Sequence, residues 1–167
     1  MPLHPAIVHI PVALALLLPL LIPLAAFLWS RNRESRTPFV FVAVLCATMA
    51  VSAFMAKQTG EDEEDTVETI VAKSHIHDHE EEADIFFFMA VGMTLLGLGT
   101  VAATKSKAAI PLTAALWLLS AVAAYQAYRT GEAGGELVYK YNAGAAYLTP
   151  DTGADGAPVV KADDDDD

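Results

Sequence analysis

The sequence predicts an all-α integral membrane protein. It reads as a four-transmembrane-helix bundle with a short amphipathic outer-face helix between spans two and three and a disordered acidic C-terminal tail. Three observations carry this. Apolar residues make up 54% of the 167 positions and come in uncharged runs. Those runs, Ile10 to Trp29, Phe39 to Ala56, Ile85 to Thr104 and Ala108 to Tyr128, approach the ~20 residues that cross ~30 Å of hydrocarbon. A soluble bundle would need polar helix faces, which these runs lack.

Each element follows in order. The domain is expected over residues 1–148, with spans at about 5–30, 38–57, 80–104 and 108–129. Span one opens on His4-Pro5, with proline suited to a first helical turn. No basic segment precedes it and its apolar run is too long for a signal sequence, so it is expected to be retained. Pro11, Pro19 and Pro23 predict a bent first helix. Thr37-Pro38 opens span two. Thr59 with Asp62 suggests a cap for the amphipathic helix, whose stripe is Val67, Ile70 and Val71. Span three is expected to start near Ser74, and Gly92, Gly97 and Gly99 permit close helix packing. Cys46 is expected to be a buried small residue, since a lone cysteine forms no internal disulfide. Tyr125, Tyr128, Tyr139, Tyr141 and Tyr147 suit an interfacial belt. Residues 149–167, ending in five aspartates, predict disorder.

Charge sets the orientation. Arg31, Arg33 and Arg36 lie between spans one and two, and Lys105 and Lys107 between three and four. These short links hold five of the ten basic residues, and the positive-inside rule places them in the cytoplasm. The other segments carry 20 of the 21 acids, so the net charge of −11 belongs to the outer face. Without a basic patch, nucleic acid is excluded as a partner.

All five histidines fall at that outer end. His4 and His9 flank the start of span one, about 140° apart on a straight helix. His9 is the deeper and the better placed to face the bundle. In His75-Ile76-His77-Asp78-His79-Glu80-Glu81-Glu82, His75 and His79 share a face, and Glu82 follows His79 by three. His77 points away. Imidazoles with carboxylates suit zinc or a similar divalent ion. Thr59-Gly60-Glu61 and Thr130-Gly131-Glu132 close spans two and four, with glycine as an ordinary C-cap and glutamate as a partner for histidine. No phosphate loop, nucleophile–base pair or covalent haem attachment motif occurs, so no catalytic residue is expected. Two histidines on facing helices suffice as axial ligands of non-covalent haem.

Together these motifs resemble a bacterial membrane-protein family, domain of unknown function number 2231. The carrying segments are His4-Pro5-Ala6-Ile7-Val8-His9-Ile10-Pro11-Val12-Ala13-Leu14, Thr59-Gly60-Glu61, His79-Glu80 and Gly134-Gly135-Glu136-Leu137-Val138-Tyr139. They cover about residues 1–145. The chain departs at Tyr141-Asn142, where many members have histidine, and at Ile10, usually aromatic. The resemblance implies a four-helix integral membrane protein, with respiratory or Rieske-like electron-transfer associations in some members and no settled activity.

Three functional readings stay open. The first is a b-type haem held by His9 and His79 for electron transfer. The second is divalent-metal binding or sensing, zinc-like, drawing on His4, His9, Glu61, His75, His79, Glu80 and Glu132. The third is a non-catalytic membrane subunit. The expected setting is a bacterial plasma membrane with both termini outside. The expected partners are the lipid bilayer and a redox or membrane-complex protein.

Overall fold

The computed structural model describes residues 3–148; the expected acidic tail lies outside them. The described residues fold into α1 (His4–Ile7), α2 (His9–Arg31), α3 (Thr37–Val67), α4 (Lys73–Ala103) and α5 (Ala109–Tyr139), then a 3-10 turn, Ala143–Tyr147. Four helical stretches, with α1 and α2 counted as one, are long and apolar enough to span a bilayer. No strand occurs among the described residues.

At 31 residues each, α3, α4 and α5 are roughly 46 Å long, well beyond the ~30 Å hydrocarbon layer. Their apolar runs sit toward the end that carries the basic links. The surplus therefore projects at the other, acidic end as a helical headpiece. A small second core of Val71, Ile76 and Ala143 holds it, with Leu137 and Tyr141 packed alongside.

This revises two expectations. The stretch expected to form a separate amphipathic helix is mostly the continuation of α3, which runs unbroken through Gly60 to Val67. Gly60 and Gly131 are therefore helix-interior residues and not C-caps. Span four likewise continues through Gly134-Gly135 to Tyr139. Neither terminus needs a cap where the glycine stands, because tertiary packing holds the helix onward. Gly60 and Gly134 leave room for the rings of His4 and His79.

Val8, between α1 and α2, keeps helical backbone (φ −59°, ψ −23°) and its N–H bonds the His4 carbonyl, so the bend expected of the prolines is not marked there. Deeper in, each proline lacks the N–H that would bond the carbonyl four residues earlier. Pro23 thereby frees the Pro19 carbonyl, and the Trp117 indole of α5 donates to it at 3.0 Å. That bond ties span one to span four and satisfies a carbonyl that lipid cannot.

The main core runs along the bundle through Leu18, Ile22, Phe39, Met49, Met93 and Leu116, with Cys46 fully buried as expected. Of the three glycines in α4, only Gly97 allows a close approach: a Cβ there would lie 3.3 Å from the Ala43 Cα of α3. Gly92 would make ordinary contact with Leu119, and Gly99 faces open space.

Candidate functional site

A cavity of about 440 Å³ opens where the membrane bundle meets the headpiece. Its walls are largely apolar, including Val8, Val12, Ala53, Phe86, Ala127 and Val138. Three of the five histidines line it: His4, His9 and His79.

His4 is fixed by α3. Its backbone N–H donates to Glu63 Oε1 at 3.2 Å, and its ring Nδ1 lies 2.8 Å from the Ala56 carbonyl. A carbonyl can only accept, so Nδ1 carries the proton and, in the neutral ring, Nε2 keeps a free lone pair. This is the arrangement that orients a ligating imidazole through its other nitrogen. The ring lies over Gly60, where a Cβ would come within 3.3 Å of Cε1 and Nδ1.

His79 comes from α4 and meets His4 edge-on, with ring centroids 6.1 Å apart and planes at 88°. Its Nδ1 is closed to solvent and finds no hydrogen-bond partner among the described residues. A buried, unsatisfied ring nitrogen calls for an explanation, since such groups are costly. Across from it, Gly134 of α5 leaves the ring its room: a Cβ there would sit 3.1 Å from Cε1. Each of the two glycines, one per motif, thus backs one histidine.

The remaining candidates divide. His9 lines the cavity from an exposed position and forms no pair with His79 comparable to that of His4. Angular spacing accounts for this: His4 and His9 stand about 140° apart around the helix. That turns His4 to α3, where its ring meets the Ala56 carbonyl, and leaves His9 exposed. His75 stacks on Tyr141, with centroids 3.9 Å apart and planes at 14°, so its face is occupied. His77 points to solvent beside Glu80 and Glu81. Glu61 and Glu132 are exposed and bond locally to Gln58 and Tyr128. Among the described residues, no three His, Cys, Asp or Glu side chains gather as a metal-holding group. Of the seven residues expected to serve a divalent ion, His4, His9 and His79 share the cavity, and Glu61, His75, Glu80 and Glu132 do not line it.

Glu82 does not serve His79 either. Arg129 reaches its carboxylate at 2.6 Å, and Gln126 also donates to it. The Glu82 carbonyl accepts from Thr130 Oγ1 at 3.0 Å. This clamp locks α4 to α5 just above the cavity, and the Lys57–Asp84 ion pair does the same for α3 and α4. Sequence reasoning missed both, because such pairings follow helix order and carry no local spacing. Glu63 was missed for the same reason. It holds the His4 backbone with one oxygen and accepts from Tyr147 with the other at 2.9 Å. Asn142, in left-handed backbone that asparagine tolerates, turns the chain after α5 so that Tyr147 reaches it.

Long apolar helices with a histidine-bearing cavity at one end define a polytopic integral membrane protein. Residues 1–147 match a family described as "Predicted membrane protein (DUF2231)", and the chain belongs to that family. No curated protein and no solved structure matches it.

Proposed function

We propose that this membrane protein binds haem b non-covalently in the 440 Å³ cavity, where His4 and His79 would hold it, and serves electron transfer. The observation that carries the reading is the pair of imidazoles at 6.1 Å on two different helices, facing one apolar cavity. The chain's residues fit such a group. The volume lies within the ~300–1,000 Å³ usual for small-molecule sites, and the walls are of the apolar kind a porphyrin requires. The Ala56 carbonyl holds His4 so that Nε2 is available, and the His79 ring lines the same cavity. Gly60 and Gly134 keep space for both rings. Phe86, Val12 and Ala127 line the cavity beside them. When bound, haem supplies one-electron chemistry at its iron, tuned by its axial ligands and its burial.

A divalent ion held by protein side chains alone has less support, because it needs a third convergent ligand. A haem would need only two protein ligands, which His4 and His79 would supply. His9 then acts as part of the wall. We further infer that the cavity faces outward in a bacterial plasma membrane, because the Arg and Lys links lie at the opposite end. The test is the absorption spectrum of full-length protein purified from haem-replete cells. A Soret band retained through purification supports the reading. Its absence, together with failure to take up added haemin, overturns it.

A further inference from the structure

A second cleft, of about 320 Å³, lies at the basic end between α2 and α5. Its apolar walls include Ile22, Ala26, Ile110 and Ala114, and Trp29 and Arg33 line it too. Trp29 is only 5% exposed, yet its indole N–H has no acceptor among the described residues. Indole is a donor only, so an oxygen acceptor is what it lacks. Arg33 sits over the Trp29 ring, 4.2 Å from the centroid, and forms no ion pair among the described residues. The nearby acid, Glu34, is bonded to Lys105 at 3.0 Å. The hydroxyls of Ser30 and Thr113 already donate to their own helix carbonyls. The cleft thus offers a cation and a buried spare donor beside apolar walls.

We propose that this cleft binds an anionic phospholipid, its phosphate accepting from the Trp29 indole and Arg33 and one acyl chain lying against Ile22, Ala26 and Ile110. Charge favours an acidic headgroup, and the apolar walls favour a lipid over a free anion. The site is independent of the histidine cavity and of what that cavity holds.

Both tryptophans of the chain line this cleft, which makes their emission a local reporter. The experiment reconstitutes the full-length Trp117→Phe variant, leaving Trp29 alone. Vesicles of phosphatidylcholine contain either brominated phosphatidylglycerol or brominated phosphatidylcholine at equal mole fraction. The glycerol lipid should quench Trp29 with about fivefold preference, the ratio equivalent to the ~1 kcal/mol that one basic residue contributes near an anionic surface. Arg33→Gln should remove that preference, and Arg31→Gln, whose guanidinium sits over Phe27 outside the cleft, should keep it. Independently, Trp29→Phe should lower the phosphatidylglycerol that co-purifies with the protein, as counted by native mass spectrometry. Equal quenching by the two lipids would overturn the proposal, as would a preference untouched by Arg33→Gln. Competition by millimolar inorganic phosphate would overturn it too, by marking a soluble-anion site.

Discussion

His4 of α1 meets His79 of α4 edge-on across 6.1 Å, and each ring rests on a glycine of a different helix. Gly60 of α3 lies under His4, and Gly134 of α5 lies beside His79. Four helices thus converge on one pair of imidazoles. Neither glycine is at a turn, so the reason for having glycine there is the space it leaves.

That reading gives a prediction with two opposite signs. Gly134→Ala removes a helix-interior glycine, which by propensity alone stabilises by about 0.5–1 kcal/mol. It also pushes a methyl to 3.1 Å from the His79 ring. Helix content should hold or rise while bound cofactor falls severalfold. Gly99→Ala, with open space around it, should leave cofactor unchanged. Circular dichroism beside the haem-to-protein ratio measures both, and undiminished cofactor in Gly134→Ala would remove the cradle argument.

Trp117→Phe should cost stability. The indole is the partner of a carbonyl that Pro23 leaves free, and membrane hydrogen bonds of this kind are worth about 0.6–1.5 kcal/mol. Unfolding in mixed detergent and denaturant should show a loss in that range. Pro23→Ala made together with Trp117→Phe should recover part of it, since the helix then bonds its own carbonyl. No recovery would mean that Trp117 acts through packing alone.

Tyr147 gives a pH signature. Its phenol is pushed up to about 12, first by desolvation and then by the hydrogen bond to Glu63 and that carboxylate's charge. A phenol whose folded pKa lies above its unfolded value of about 10 contributes stability that is full below pH 10. That contribution drains as pH rises through 12. The stability gap between wild type and Tyr147→Phe should be flat up to about pH 10 and close above it. A gap that stays constant from pH 8 to 12 contradicts the bond to Glu63.

Orientation has a direct test. Cys46 is fully buried and can be replaced by alanine to give a clean background. A new cysteine at Asp62 should then react with a membrane-impermeant maleimide in intact cells, and one at Ser106 should react only after lysis. The reverse pattern would move the histidine cavity to the cytoplasm.

Much of this fold was legible in the chain. Four charge-free runs dictated four spans. The five histidines were correctly expected at one end. What was not legible was which histidine meets which. His9 looked the better ligand because it lies deeper along a continuous helix. The structure instead sets His4 on α3, 2.8 Å from the Ala56 carbonyl, and beside His79. The Thr-Gly-Glu segments looked like helix ends, because glycine usually marks one. Here the helices run on, held by headpiece contacts between residues far apart in sequence, such as Ile76 and Ala143. The partners of Glu82 and Lys57 were hidden for the same reason. They depend on the register of neighbouring helices, which no local pattern encodes.

The most direct test of the account is the haem occupancy of four single variants, His4→Ala, His9→Ala, His77→Ala and His79→Ala, each purified as the full chain and read by its Soret absorbance per protein. The account predicts that His4→Ala and His79→Ala each lose most of the bound haem. Their double variant should lose little more, because either loss already breaks the axial pair. His9→Ala and His77→Ala should retain most of it. If wild type carries no haem, or if His9→Ala loses it while His4→Ala keeps it, the His4–His79 site is contradicted.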